Sequence, residues 1–149
     1  MPNRLRELMP NFARHEGNWI GTYTHITPAG DLVDTYEVRI FSEFPTDGGC
    51  DFRLNTHNIW ADGRESRASF DTVYRDGRLW FDSDILVGSM WEVDDFTLYL
   101  RFGYRDDPAI EVCEMIQISK DGRNRARTWH WFRDEKLFQV TLTNERRAD

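Results

Sequence analysis

The stretch Gly17-Asn18-Trp19-Ile20-Gly21-Thr22-Tyr23-Thr24-His25-Ile26 alternates in character. Trp19, Gly21, Tyr23 and His25 fall on one face, and Ile20, Thr22, Thr24 and Ile26 on the other. This is the pattern of a β-strand, whose successive side chains point to opposite sides of the sheet. The Trp19 face reads as the inside of a barrel. The indole plugs one end, and Tyr23 and His25 stand above it.

Strands and turns continue downstream of this stretch. Pro28-Ala29-Gly30-Asp31 turns the first strand into residues 32–43, and residues 45–49 close the next connection. Strands follow at 50–60, 65–75, 78–83, 89–93, 97–105, 109–120, 123–133 and 137–146, with Gly88 read as a break before the sixth. Asp76-Gly77 is a tight hairpin signal. Strands so short, joined by so many turns, predict an all-β fold: a closed antiparallel up-and-down barrel of about 8–10 strands. Closure removes the exposed edges that a meander would otherwise leave. With no helical pattern between strands, parallel βαβ units are excluded.

Upstream, Leu5, Leu8, Met9 and Phe12 recur at helical spacing. Pro2 and Asn3 suit a helix start, and Pro10 limits the segment to one short helix or a helix restarted after it. Residues 1–14 are therefore expected to form a helical cap and residues 17–146 the barrel, together one domain over residues 1–149. His15 precedes the barrel and is expected in solvent.

A chain of 149 residues buries roughly two-thirds of its unfolded surface, enough for a core without staples. The net charge of −7 argues against a nucleic-acid partner and an anionic membrane surface. The first ten residues are charged and lack the apolar core of a signal peptide, and no apolar run reaches transmembrane length. A cytoplasmic location is the expectation, with Cys50 and Cys113 reduced and buried as small apolar groups. Aromatic residues make up 14% of the chain, six of them Trp. They fill a core, line a ligand pocket, or do both.

The Gly17-x-Trp19 pattern after a short helical turn resembles the lipocalin signature. That resemblance implies a Trp closing the barrel base with an Arg of a late strand over its indole. Arg127 is the expected partner, with Arg125 and Arg133 as alternatives. The opening stretch, with Gly30 in its turn, and Arg125-Ala126-Arg127-Thr128-Trp129-His130-Trp131-Phe132 also resemble a poorly characterised lipocalin-like family of bacteria and plastids. It includes the N-terminal barrel of a chloroplast ATP-synthase assembly factor. This likeness implies a fold rather than a reaction. Nitrobindin-like haem barrels share Gly17, Trp19 and Gly21, but their pattern has glycine where this chain has Tyr23. His130 is the only late candidate for an axial ligand. No haem or other cofactor is expected.

Four histidines occur, without metal-ligand spacing, so no metal site is expected. His25 is the strongest functional candidate because Trp19 fixes its face. Glu114 interrupts the apolar face Ile110, Val112, Ile116, Ile118. Desolvation would raise its pKa and suit it to proton transfer, unless it is paired with Arg101 or Arg127. Catalytic candidates are thus His25, Glu114 and Tyr23. Ligand-binding candidates are Trp19, Arg39, His57, Trp80, Trp91, Arg127, Trp129 and Trp131. The orientation of strands 50–60 and 123–133 stays open: inward, the Arg125, Arg127, Trp129, Trp131 face suits an aromatic ligand with an anionic or phenolic group.

Three readings follow. The first is binding of a small, largely apolar or aromatic molecule inside the barrel. The second is a cofactor-independent lyase, isomerase or cyclase working by acid–base chemistry on a molecule held there. The third is an assembly or interaction protein with a filled barrel. A homodimer is compatible with all three.

Overall fold

A computed structural model describes residues 4–148. Pro2 and Asn3, read as a helix start, lie outside the described residues. Two short helices, α1 (Arg4–Leu8) and α2 (Pro10–Arg14), precede ten strands. These are β1 (Gly17–Ile26), β2 (Leu32–Glu43), β3 (Phe52–Ile59), β4 (Glu65–Arg75), β5 (Arg78–Asp82), β6 (Leu86–Glu92), β7 (Thr97–Tyr104), β8 (Asp107–Ile118), β9 (Asn124–Arg133) and β10 (Lys136–Arg147). Every strand pairs antiparallel with its sequence neighbours, and β1 closes the ring against β10. The expected up-and-down barrel is the observed fold.

The helix is divided in two at Pro10. Lacking an N–H, proline cannot continue α1 but is accepted at the start of α2. Gly88 does not break the sixth strand, which begins at Leu86. It lies inside β6 at φ +150°, where a Cβ would stand 2.1 Å from the Arg101 carbonyl oxygen. Glycine is needed there because β7 passes so close.

One end of the barrel is sealed. Met9 and Phe12 join Phe44, Phe52, Leu79, Met90 and Leu98 in one buried cluster, with the Phe12 and Phe52 rings edge-to-face at 5.5 Å. The Asn11 amide donates to the Asp94 carbonyl at 2.8 Å, and the Phe12 N–H donates to Glu92 at 2.8 Å, satisfying an orphan donor at the start of α2. Trp19 sits at this end with 1% of its surface exposed and donates its indole N–H to the His15 carbonyl at 3.0 Å. His15, expected in solvent, is instead buried under the base. The turn that carries the chain from α2 into β1 tucks its ring beneath the strands. Cys50 and Cys113 are free and only partly buried, less enclosed than expected.

Three register irregularities fall at the opposite, open end: between His25 and Ile26, between Gly103 and Tyr104, and between Leu137 and Gln139. Bulges are common at barrel rims, where they bend a strand and re-aim side chains. No helix among the described residues is long and apolar enough to cross a membrane.

Candidate functional site

Alternation decides which side chains meet inside. Tyr23 and His25 of β1, Tyr36 and Ile40 of β2, and Leu54 and Thr56 of β3 line a cavity of about 330 Å³. From the far wall come Leu100, Phe102 and Tyr104 of β7, Glu114 and Ile116 of β8, and Arg125, Arg127, Trp129 and Trp131 of β9. The β9 face left open by the sequence therefore points inward.

The floor is ionic. Arg127 donates to three groups: Glu145 at 2.9 Å, Glu114 at 3.2 Å and the Tyr23 hydroxyl at 2.6 Å. Arg125 donates to the same Glu145 oxygen at 2.8 Å, and its Nη1 lies 3.1 Å from His15 Nδ1. Glu145 reaches this position because Gly21 stands opposite it on β1. A Cβ on Gly21 would fall 2.6 Å from Glu145 Cγ.

All these groups are buried, so desolvation opposes each charge, and charges survive only where partners outweigh it. Burial pushes the Glu145 carboxyl up, but Arg125 and Arg127 outweigh it and hold the group below its usual value. Burial likewise pushes Glu114 up, and here Arg127 only partly offsets it, leaving a pKa of about 7. Burial raises the Tyr23 phenol to about 12. Of the two carboxyls around Arg127, Glu145 carries the charge and Glu114 exchanges its proton near neutrality.

The walls are aromatic and aliphatic. Trp129 and Trp131 stack with centroids 5.5 Å apart, and Tyr104 stacks on Trp131 at 6.2 Å. At the mouth, His25 Nδ1 lies 2.6 Å from Thr141 Oγ1 and its Nε2 lies 2.7 Å from the Tyr36 hydroxyl. Trp131 donates to the same Thr141 oxygen at 2.8 Å. Burial lowers the His25 pKa, so the ring is neutral at pH 7.

Of the residues singled out from sequence, His25, Tyr23, Glu114, Arg127, Trp129 and Trp131 meet at this cavity. Trp19 lies below it as the base. The cation over its indole is not Arg127 but Arg125, at 4.4 Å, with Arg147 at 4.3 Å. Arg125 is two residues nearer the sealed end of β9, and Arg127 reaches Tyr23 and Trp129 instead.

Arg39, His57, Trp80 and Trp91 do not reach the cavity. Val38 and Ile40 face inward, so Arg39 projects outside and pairs with Glu37 at 3.0 Å. His57 lies outside between Thr56 and Asn58, with Glu65 at 2.6 Å. Leu79 and Phe81 take the inner positions around Trp80, whose indole is covered by Arg75 at 4.6 Å. Trp91, next to the buried Met90, lies under Arg78 at 4.0 Å.

Tyr36, Thr141 and Glu145 belong to the site and were not singled out for it. Tyr36-x-Val38-x-Ile40 carried a readable signal. Thr141-x-Thr143-x-Glu145 did not, because a polar stripe reads as a solvent face. Among the described residues no group of three or more His, Cys, Asp or Glu could hold a metal ion.

No protein-family model matches the sequence, and no curated protein matches it. Solved structures share the fold. An S-type phycobiliprotein lyase from Guillardia theta superposes with a TM-score of 0.73 at 18% identity, over 93% of this chain and 90% of that one. A protein of the DUF3598 family from Nostoc punctiforme gives 0.71 at 15% identity over 92% of this chain. The match spans about half, 49%, of the Nostoc protein. Rv2717c from M. tuberculosis gives 0.64 at 13% identity, over 95% and 98% of the two chains.

Proposed function

We propose that this chain is a lipocalin-like binding protein that holds a small, largely apolar or aromatic molecule inside its barrel. The observation that carries this reading is the cavity of about 330 Å³, walled by Trp129, Trp131, Phe102 and aliphatic side chains over a charged floor. Its size sits at the small end of ligand pockets, which span roughly 300–1,000 Å³ and combine apolar walls with a few placed polar groups. Arg127, Glu114 and Tyr23 are such groups. A molecule with aromatic rings and one polar end matches both regions. The space also weighs against a filled barrel serving only as an assembly factor.

Native mass spectrometry of untreated protein is the first test, followed by titration with planar aromatic compounds monitored by Trp fluorescence. A retained small molecule, or saturable quenching, is the expected result. Absence of both overturns the reading.

A second reading, acid–base catalysis on the held molecule, is favoured by one observation. Glu114, with a pKa of about 7, borders the cavity and can give or take a proton at neutral pH. A barrel of the same fold is named a phycobiliprotein lyase, so lyase chemistry is compatible with this scaffold. Unchanged turnover of a panel of aromatic substrates in both His25→Ala and Glu114→Ala would remove those residues from any mechanism.

A further inference from the structure

The mouth of the cavity holds a chain of hydrogen bonds whose direction follows from what each group can donate. The Trp131 indole nitrogen only donates, so Thr141 Oγ1 accepts from it at 2.8 Å. Thr141 is fully buried, and among the described residues its own hydroxyl proton has one acceptor in reach, His25 Nδ1 at 2.6 Å. Were Nδ1 protonated, that hydroxyl proton would be stranded in the interior, at a cost of about 1–3 kcal/mol. The Gln139 amide nitrogen, also a donor, lies 3.4 Å from the same Nδ1. Two donors converge on one ring nitrogen, so that nitrogen is bare. The neutral ring then carries its proton on Nε2, which donates to the Tyr36 oxygen at 2.7 Å. Tyr36 borders the cavity, and its hydroxyl makes no other hydrogen bond among the described residues.

We infer that His25 is held as the Nε2–H tautomer, and that Tyr36, accepting from it, offers its own hydroxyl proton to the cavity as a donor for a ketone or quinone oxygen of the ligand. The inference rests on the cavity reading above and gives the ligand a second polar point, at the mouth. Trp131, Thr141, His25 and Tyr36 each donate to the next, and such chains strengthen successive bonds by polarisation. His25 acts through Tyr36 and is a positioning residue. Burial raises the Tyr36 pKa, so the phenol keeps the proton it offers. The donor also discriminates: a hydrocarbon of the same shape leaves it unpaired, whereas an aromatic ketone satisfies it.

Two measurements test this. In the free protein, proton–nitrogen correlation spectra of the His25 imidazole at mildly alkaline pH should show Nδ1 as the pyridine-type nitrogen and Nε2 as the pyrrole-type one. The reverse assignment overturns the relay. Prodan, a naphthalene bearing a propionyl ketone, then probes the donor, with the same dimethylaminonaphthalene lacking the ketone as control. Tyr36→Phe should weaken Prodan binding by roughly 3- to 10-fold and shift its emission to the blue, leaving the control unchanged. Equal loss for both probes reduces Tyr36 to packing and overturns the inference. If neither probe binds the unaltered protein, the cavity reading itself fails and this inference falls with it.

Discussion

The guanidinium of Arg125 lies 4.4 Å from the centre of the Trp19 indole, at the sealed end of the barrel. The same cation donates to Glu145 at 2.8 Å, so one side chain joins the base plug to the cavity floor. Removing it leaves the buried Glu145 with Arg127 alone, a cation shared with Glu114, and strips the indole of one of its two covering charges. Arg125→Ala should therefore cost about 3 kcal/mol of unfolding free energy. Arg39→Ala, which removes only an exposed pair with Glu37, should cost less than about 1 kcal/mol. Urea denaturation of the two variants checks the contrast.

Glu114 gives the stability a pH dependence of known sign. Its pKa rises from 4.5 in the unfolded chain to about 7 in the fold, through desolvation. The folded state keeps a proton that the unfolded state has already lost. Its contribution is complete below pH 4.5 and fades as pH rises through about 7. Over that window, the unaltered protein should lose on the order of 3 kcal/mol relative to Glu114→Gln. Parallel denaturant titrations across pH measure the difference, and parallel curves would contradict it.

His15 acts in the opposite direction. Burial, then the charge of Arg125, holds its pKa well below 6.5. The unfolded chain takes up a proton that the folded state refuses. Its contribution is present above pH 6.5 and is lost as pH falls below that value. His15→Gln, which keeps an acceptor for Arg125, should flatten the acid limb of the stability curve. Melting temperatures from neutral to mildly acidic pH report this.

The β9–β10 turn places two non-glycine residues in the left-handed region, Asp134 at φ +48° and Glu135 at φ +68°. The β4–β5 turn meets the same demand with Asp76 and Gly77. A side chain in this conformation costs about 1–2 kcal/mol, partly offset by the lower backbone entropy of a non-glycine residue. Glu135→Gly should stabilise the protein by about 0.5–1 kcal/mol, read from the denaturation midpoint. An unchanged or lower midpoint would place the strain elsewhere.

Aromatic ligands should quench the indoles that wall the cavity and spare those outside. Trp80→Phe with Trp91→Phe should leave the quenching amplitude unchanged. Trp129→Phe with Trp131→Phe should remove most of it.

The barrel was legible because strand alternation is strict. Once Trp19 is placed inside, Tyr23 and His25 must follow, and Glu114 is marked by the aliphatic residues around it. The outward position of Trp80 and Trp91 was not legible. Hydrophobicity alone draws indoles inward, whereas Arg75 and Arg78 cover these from outside. Glu145 and Thr141 were hidden for the converse reason. Their strand carries Phe138, Val140 and Leu142 on the opposite face, so alternation alone would turn the apolar side inward, and it takes Arg125, Arg127 and His25, distant in sequence, to explain why the polar side is buried. Likewise, Arg125 and Arg127 both sit inside, and their spacing along β9 rather than their chemistry decides which one meets Trp19.

Trp19, His15 and the two helices stop one end. On the proposed binding reading, a guest would therefore enter and leave past the opposite rim. Its leading end would meet Arg127 and its trailing end would stay beside Tyr36. Any handover to another molecule would then begin from the side of Tyr36.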